Sequence, residues 1–235
     1  MSTSSPILLL LGAGSNVGEA VSSTFTSKGY RVALVSRQAS GTNTDQKIYI
    51  QGDLFDPSSI PSIFSKVKEQ FGGVPSVVVY NASKVHYNDA ENPFSLKLED
   101  LDHSFKLNTL SAYAAAKEAT AGFEQLPADA SRTFIYTGNL MNRITLPTML
   151  DLGVGKAATA HFIESASKAF AEKGYKYYFA DERLEDGEPL YNGVNGDAHA
   201  EHFAVLAEHK KQEEWCQTFV KGIGYKKFEY LAKAE

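Results

Sequence analysis

Residues 7–20 read ILLLLGAGSNVGEA, and this stretch decides the fold. Five apolar residues run into Gly12, Gly14 and Gly18. Such a run is short and apolar throughout, which fits a strand buried on both faces. Val17, Ala20, Val21 and Phe25 then repeat at helical spacing, and Gly29 stops the pattern. The stretch therefore predicts strand, tight turn, helix. The apolar run is too short to span a bilayer and no charged region precedes it, so it reads as a strand rather than a signal peptide.

The same alternation continues outward. RVALVS (31–36), KIYIQGD (47–53), SVVVYNA (76–82), RTFIYTG (132–138) and YKYYFA (175–180) read as further strands. Asp56-Pro57 is a helix start, and Ile60, Ile63, Phe64, Val67 and Phe71 follow at helical spacing. Further helices are expected from Asn108 to about Phe123, over 153–172 and over 197–210, with TFVKGIGYKKF (218–228) supplying a last short strand. Apolar strands alternating with amphipathic helices predict an α/β fold, a single-domain doubly wound parallel sheet with helices on both faces. The expected strand order is 3-2-1-4-5-6, with room for a seventh.

The chain has 235 residues, 43% of them hydrophobic, and a net charge of −5. That suits one domain over 1–235, and it argues against nucleic acid as a partner. Cys216 is the single cysteine, so no internal disulfide forms and a reducing, cytoplasmic setting is expected. His199, His202 and His209 read as a solvated or rim face, and no metal site is expected. Long irregular segments follow strands four and six, over about 83–97 and 181–196. Ligands in such sheets bind beyond the carboxyl ends of the strands, so these segments are candidate substrate walls.

The glycine turn is the candidate cofactor site. Gly12, Gly14, Ser15, Asn16, Val17 and Gly18 would let a pyrophosphate approach a helix N-terminus. Asn16 stands where a glycine is usual, and asparagine tolerates left-handed geometry. At the end of strand two, a carboxylate would hold a ribose diol. Ser36 and Arg37 stand there instead, and a hydroxyl with a guanidinium suits a 2′-phosphate. NADP(H) is therefore favoured over NAD(H).

The order of these motifs resembles the short-chain dehydrogenase/reductase family from Ile7 to about Ala180, which implies its Rossmann fold. GAGSNVG is similar to its glycine turn. GDLFD resembles the segment that would set Asp53 and Leu54 on the adenine. YNAS resembles its Asn-Ala-Gly motif, with Asn81 and Ala82 kept and Ser83 in place of glycine. KLNTLSAYAA resembles the helix with the family's structural asparagine, here Asn108. The family's chemistry uses serine, tyrosine and lysine. The resemblance puts Asn139 at the serine and Leu152 at the tyrosine, and keeps Lys156. No tyrosine lies between Tyr136 and Tyr175. Small-residue helices over 108–123 and 153–172 resemble those that pair subunits in the family, which implies a homodimer or homotetramer.

A positioned acid is typically worth about 10²–10⁴ in rate, or about 3–5 kcal/mol. Without the phenol, three readings stand. The chain reduces an acceptor that needs less protonation, such as an imine, an iminium or an activated C=C. It runs non-redox isomerase or cyclase chemistry. Or it is a silent nucleotide-binding protein. Lys156, Asn139 and Asn108 are the candidate catalytic residues. His86, Tyr87, Leu152, Asp181 and Arg183 are the candidate substrate contacts, and His86 or Tyr87 could supply a proton.

Overall fold

The computed structural model describes residues 5–228. Eight strands form one sheet in the order β3-β2-β1-β4-β5-β6-β7-β8. They are β1 (Ile7–Leu11), β2 (Arg31–Ser36), β3 (Lys47–Gln51), β4 (Val77–Tyr80), β5 (Thr133–Thr137), β6 (Lys176–Arg183), β7 (Cys216–Val220) and β8 (Gly224–Tyr225). All pairings are parallel except that of β7 with β8. The expected order of the first six strands is met, and the last strand arrives as a parallel strand plus a two-residue antiparallel hairpin arm.

Side chains alternate across this sheet and build two cores. Leu8 and Leu10 face α1 (Val17–Ser27) and α6 (Gly196–Glu208), packing with Val21, Phe25, Phe203 and Leu206. Leu9 and Leu11 face the other layer, α2 (Ile60–Phe71), α4 (Ser111–Phe123) and α5 (Leu150–Ala169), through Val67, Phe123 and Ile163. Asp56 caps the turn before α2 as its sequence predicts, accepting from the Ser58 N–H at 2.9 Å.

Three segments differ from the sequence expectation. The helix expected from Asn108 begins earlier, as α3 (Leu98–Phe105), and runs through a π turn over Lys106–Leu110 into α4. The π turn frees the Asn108 carbonyl, which accepts from the hydroxyls of Tyr136 at 2.9 Å and Thr159 at 2.8 Å. Such a carbonyl is stable only because these partners satisfy it.

The second difference matters more for the site. The expected loop from 181 is instead strand: β6 continues through Asp181, Glu182 and Arg183, all buried. Pairing with β7 carries it there, with Asp181 opposite Thr218, Glu182 opposite Phe219 and Arg183 opposite Val220. Arg183 Nε donates to Asp181 at 2.7 Å and Nη1 to the Gly187 carbonyl at 3.1 Å. Buried charges persist when they are paired in this way.

Third, His199 and His202 are buried rather than solvated. They share the stripe of α6 that carries Phe203 and Leu206, and that stripe faces the sheet.

Candidate functional site

The β1–α1 turn lies at the carboxyl edge of the sheet. Gly12 has φ +97°, and a Cβ there would lie 2.5 Å from the Ala82 nitrogen. Only glycine fits, and the closeness lets Asn81 Nδ2 donate to the Gly12 carbonyl at 3.0 Å. Gly18 is similarly pressed, since a Cβ would lie 2.8 Å from Ala13. Gly14 is open, with nothing within 4 Å of such a carbon, and Ser15 beside it is exposed. Val17 is core.

Asn16 is not left-handed; its φ is −101°. It occupies the N-cap of α1 without making a side-chain cap bond. Its Nδ2 donates instead to the Val194 carbonyl at 2.9 Å, across the cleft. The first N–H groups of α1 thus have no side-chain acceptor at the cap, and an open glycine lies over them. This is the condition in which a helix end takes an anion. A groove leads from the turn along α1 to Ser36 and Arg37. Ser36 Oγ donates to the Gln38 carbonyl at 2.9 Å. Arg37 is exposed and forms no ion pair among the described residues. The residues present therefore fit the phosphates of a dinucleotide. Asp53 is exposed and accepts from the Phe55 N–H, whereas Leu54 is buried in the core. Neither lines this groove.

Beyond the turn lies a cavity of ≈320 Å³ between the ends of β4, β5 and β6. Asn81, Ser83, Asn139, Leu152, Lys156 and Asp181 all line it, so the structure brings these six predicted residues together. Leu152 and Lys156 sit one turn apart on α5, on one face. Asn139 Oδ1 accepts from the Met141 N–H at 3.0 Å. That leaves its Nδ2 donors without a protein partner among the described residues. Lys156 is 2% exposed, and its Nζ donates to the Thr137 carbonyl at 2.9 Å. Burial pushes this ammonium down to about 7, and the nearby Asp181 carboxylate opposes the shift. Burial raises the Asp181 carboxyl, and Arg183, Lys156 and His199 pull it back.

Other predicted residues take different places. Asn108 is fully buried and supports the wall. Its Nδ2 donates to the Lys84 carbonyl at 2.7 Å and to Ser104 at 2.9 Å, and its Oδ1 accepts from Ser83 at 2.9 Å. Tyr87 lines the cavity from its rim, 69% exposed. His86 does not line it; its backbone N–H and ring Nδ1 lie 2.8 and 3.1 Å from one oxygen of the buried Asp151. Arg183 does not line it either, being committed to Asp181 and Gly187. Burial pushes the Cys216 thiol up to about 11, which leaves it an unreactive thiol at neutral pH.

Glu182 and His199 also line the cavity, beyond the site residues the sequence singles out. Helical spacing alone puts His199 on the apolar stripe with His202, Phe203 and Leu206, and that signal was available. For Glu182 no local signal exists, because its burial depends on β7, more than thirty residues away.

Among the described residues, no helix is long and apolar enough to cross a membrane, and no group of histidine, cysteine and acidic side chains could hold a metal ion.

Comparison with known proteins agrees with this geometry. The chain is 46% identical over 236 residues to the short chain dehydrogenase/reductase dmxR12 of Cryptosporiopsis sp. (strain 8999), covering 96% of each. A short-chain dehydrogenase from Streptomyces avermitilis superposes with a TM-score of 0.78 at 15% identity, covering 94% of this chain and 89% of that one. A 3-ketoacyl-(acyl-carrier-protein) reductase from Brucella melitensis complexed with NADH superposes at 0.74 and 17% identity, covering 86% and 91%. The family model of the short chain dehydrogenases matches residues 6–174. With that match over most of its length, the chain belongs to the short chain dehydrogenase family.

Proposed function

We propose that this chain is an NADP(H)-dependent oxidoreductase that reduces a small organic molecule. An imine, an iminium or an activated C=C is favoured over a simple ketone. One observation carries the reading: the side chain one turn before Lys156 on the cavity wall is Leu152, which has no proton to give. The cavity's tyrosines, Tyr87 and Tyr191, are exposed at its rim.

The α1 N-terminus and the Gly12–Gly18 turn would hold the pyrophosphate. Ser36 and Arg37 would hold the 2′-phosphate, and Lys156 the nicotinamide ribose. Asp53, Leu54, Asn81, Ala82 and Ser83 would border the nucleotide as the family resemblance implies. The bound nicotinamide supplies hydride. Asn139 Nδ2 donates a hydrogen bond to the substrate's electronegative atom, and an amide stabilises charge there without giving up its proton. An iminium is already cationic and needs no acid to accept hydride. Asn108, Ser104 and Ser83 fix the wall on which this contact depends.

A second reading is non-redox isomerase or cyclase chemistry. The acidic and basic groups lining the cavity favour it, because proton shuttling needs no hydride. Substrate conversion without NADPH oxidation separates it from the first. A homodimer or homotetramer is also proposed, through Leu110, Tyr113 and Val154, which are exposed on the small-residue helices. Light scattering tests it.

The deciding experiment is a titration with NADPH and NADH, following nucleotide fluorescence. NADPH should bind more tightly than NADH by about tenfold or more, and Arg37→Ala should erase most of that preference. Equal binding of the two nucleotides removes the NADP(H) assignment. Absence of both removes the oxidoreductase reading.

A further inference from the structure

The cavity contains a pair that this chemistry has not yet used. His199, on the first turn of α6, is 2% exposed yet lines the cavity. Its Nδ1 faces two oxygens, the Asn195 carbonyl at 2.9 Å and the Glu182 carboxylate at 3.3 Å. A carbonyl and a carboxylate only accept, so the ring proton belongs on Nδ1. In the neutral ring the lone pair is then on Nε2, which makes no protein hydrogen bond among the described residues. Phe203 and Phe219 pack edge-on against the ring at centroid distances of 5.6 and 5.1 Å and hold its plane. The same Glu182 oxygen accepts from the Asn195 N–H at 2.8 Å, so the carboxylate is itself held.

His202, one turn on, shows the contrast. It stacks on Phe219, and burial pushes it down to about 4. Its Nε2 is buried with no hydrogen-bond partner among the described residues, and it does not line the cavity. Of the two buried histidines of α6, one is packing and the other presents a ring edge to the cavity with a carboxylate behind it.

We propose that His199 Nε2 is the proton-transfer atom of this cavity, with Glu182 as its positioning residue. The inference rests on the reading of the cavity as the substrate site. A reduced nicotinamide dinucleotide is the reductant, delivering two electrons as hydride to one end of the substrate double bond. The π electrons move to the other end, where the Nε2–H proton forms the new bond. The N–H electron pair returns to the ring as the Nε2 lone pair, and solvent reprotonates it. Glu182 stabilises the imidazolium before transfer and keeps the tautomer correct. In the non-redox reading, the same atom takes a proton from one substrate position and returns it to another.

A pH profile alone would not isolate this group. Glu182 and Asp181 face it from β6 and His202 from its own helix, and Lys156 and Arg183 lie against Asp181. The test is therefore NMR of the full chain carrying ¹⁵N-histidine, with His199 assigned by its loss in His199→Gln or by backbone connectivity. The neutral ring should carry its proton on Nδ1, and Glu182→Gln should lower kcat about tenfold with KM unchanged. His199→Gln should bind NADPH within about twofold of the parent while turnover of a methylpyrroline or of cyclohexenone falls about 100-fold. An Nε2–H tautomer, an undiminished kcat in Glu182→Gln, or undiminished turnover in His199→Gln overturns the proposal. If the parent binds no nucleotide, the oxidoreductase reading falls, and the tautomer still decides the role of His199.

Discussion

Two lysines are buried among the described residues, Lys156 on α5 and Lys176 on β6, each 2% exposed. Burial lowers both, Lys156 to about 7 and Lys176 to about 8, the latter helped by Lys210. By burial and titration alone they would be judged alike, but their surroundings differ. Lys176 Nζ donates to the carbonyls of Leu206, Ala207 and His209. It closes the C-terminus of α6, where a cation meets the negative end of the helix. Lys156 donates to a single carbonyl, that of Thr137, lies over the Tyr136 ring at 4.4 Å, and lines the cavity. A perturbed lysine with every proton committed is a structural part. One with protons to spare at a cavity wall is a site.

The sharpest way to break this comparison is to remove each ammonium in turn. Lys156→Met should reduce nucleotide-dependent turnover about 100-fold or more while leaving the melting temperature no lower. A folded Lys156→Met protein with full turnover would put both lysines in the structural class. Lys176→Met should cost about 2–4 kcal/mol in urea unfolding, because it strands buried carbonyls. The NADPH affinity of the protein that remains folded should not change. A loss of affinity in that variant would erase the distinction.

The pH dependence of stability sharpens the comparison with a smaller effect. Each lysine has a folded value below its unfolded one near 10.4. Below the folded value both states carry the proton, and the burden of burial is present in full. Between about 7 or 8 and about 10.4 the unfolded chain binds the extra proton, so stability rises with pH. Each lysine contributes a slope of at most about 1.4 kcal/mol per unit. Cys216, raised to about 11, and Tyr177 and Tyr178, raised to about 12, act oppositely at the alkaline end. The difference between parent and Lys156→Met curves should therefore begin near pH 7, and that for Lys176→Met about one unit higher. Coincident curves would mean that the two surroundings are electrostatically equivalent.

The alternation of strands and helices was legible because each β-strand through β5 is apolar and bounded by turn residues. The convergence of Asn81, Asn139, Leu152 and Lys156 on one cavity was legible too, since each follows a strand's carboxyl end or lies one turn from another. The end of β6 was not. Asp181 and Arg183 read as substrate contacts in a loop rather than as strand, because charges are costly in a sheet. What overrides that cost is a β7 partner for the backbone, an Asp181–Arg183 pair and His199 from the following helix, of which only the ion pair is local. Glu182 stayed hidden for that reason, whereas the helical spacing that buries His199 was there to be read. Asn16 was read for its backbone tolerance, whereas its side chain is what it uses.

That side chain has a further consequence. Through Nδ2 of Asn16 and the Val194 carbonyl, the glycine turn is tied to the segment leading into α6. A Cβ on Gly196 would lie 2.7 Å from Asn16 Oδ1, so the two strands of this strap touch with no slack. Undoing one neutral hydrogen bond costs only about 1 kcal/mol. Asn16 therefore couples the placement of the glycine turn to that of the approach to α6, at a cost that one such bond sets.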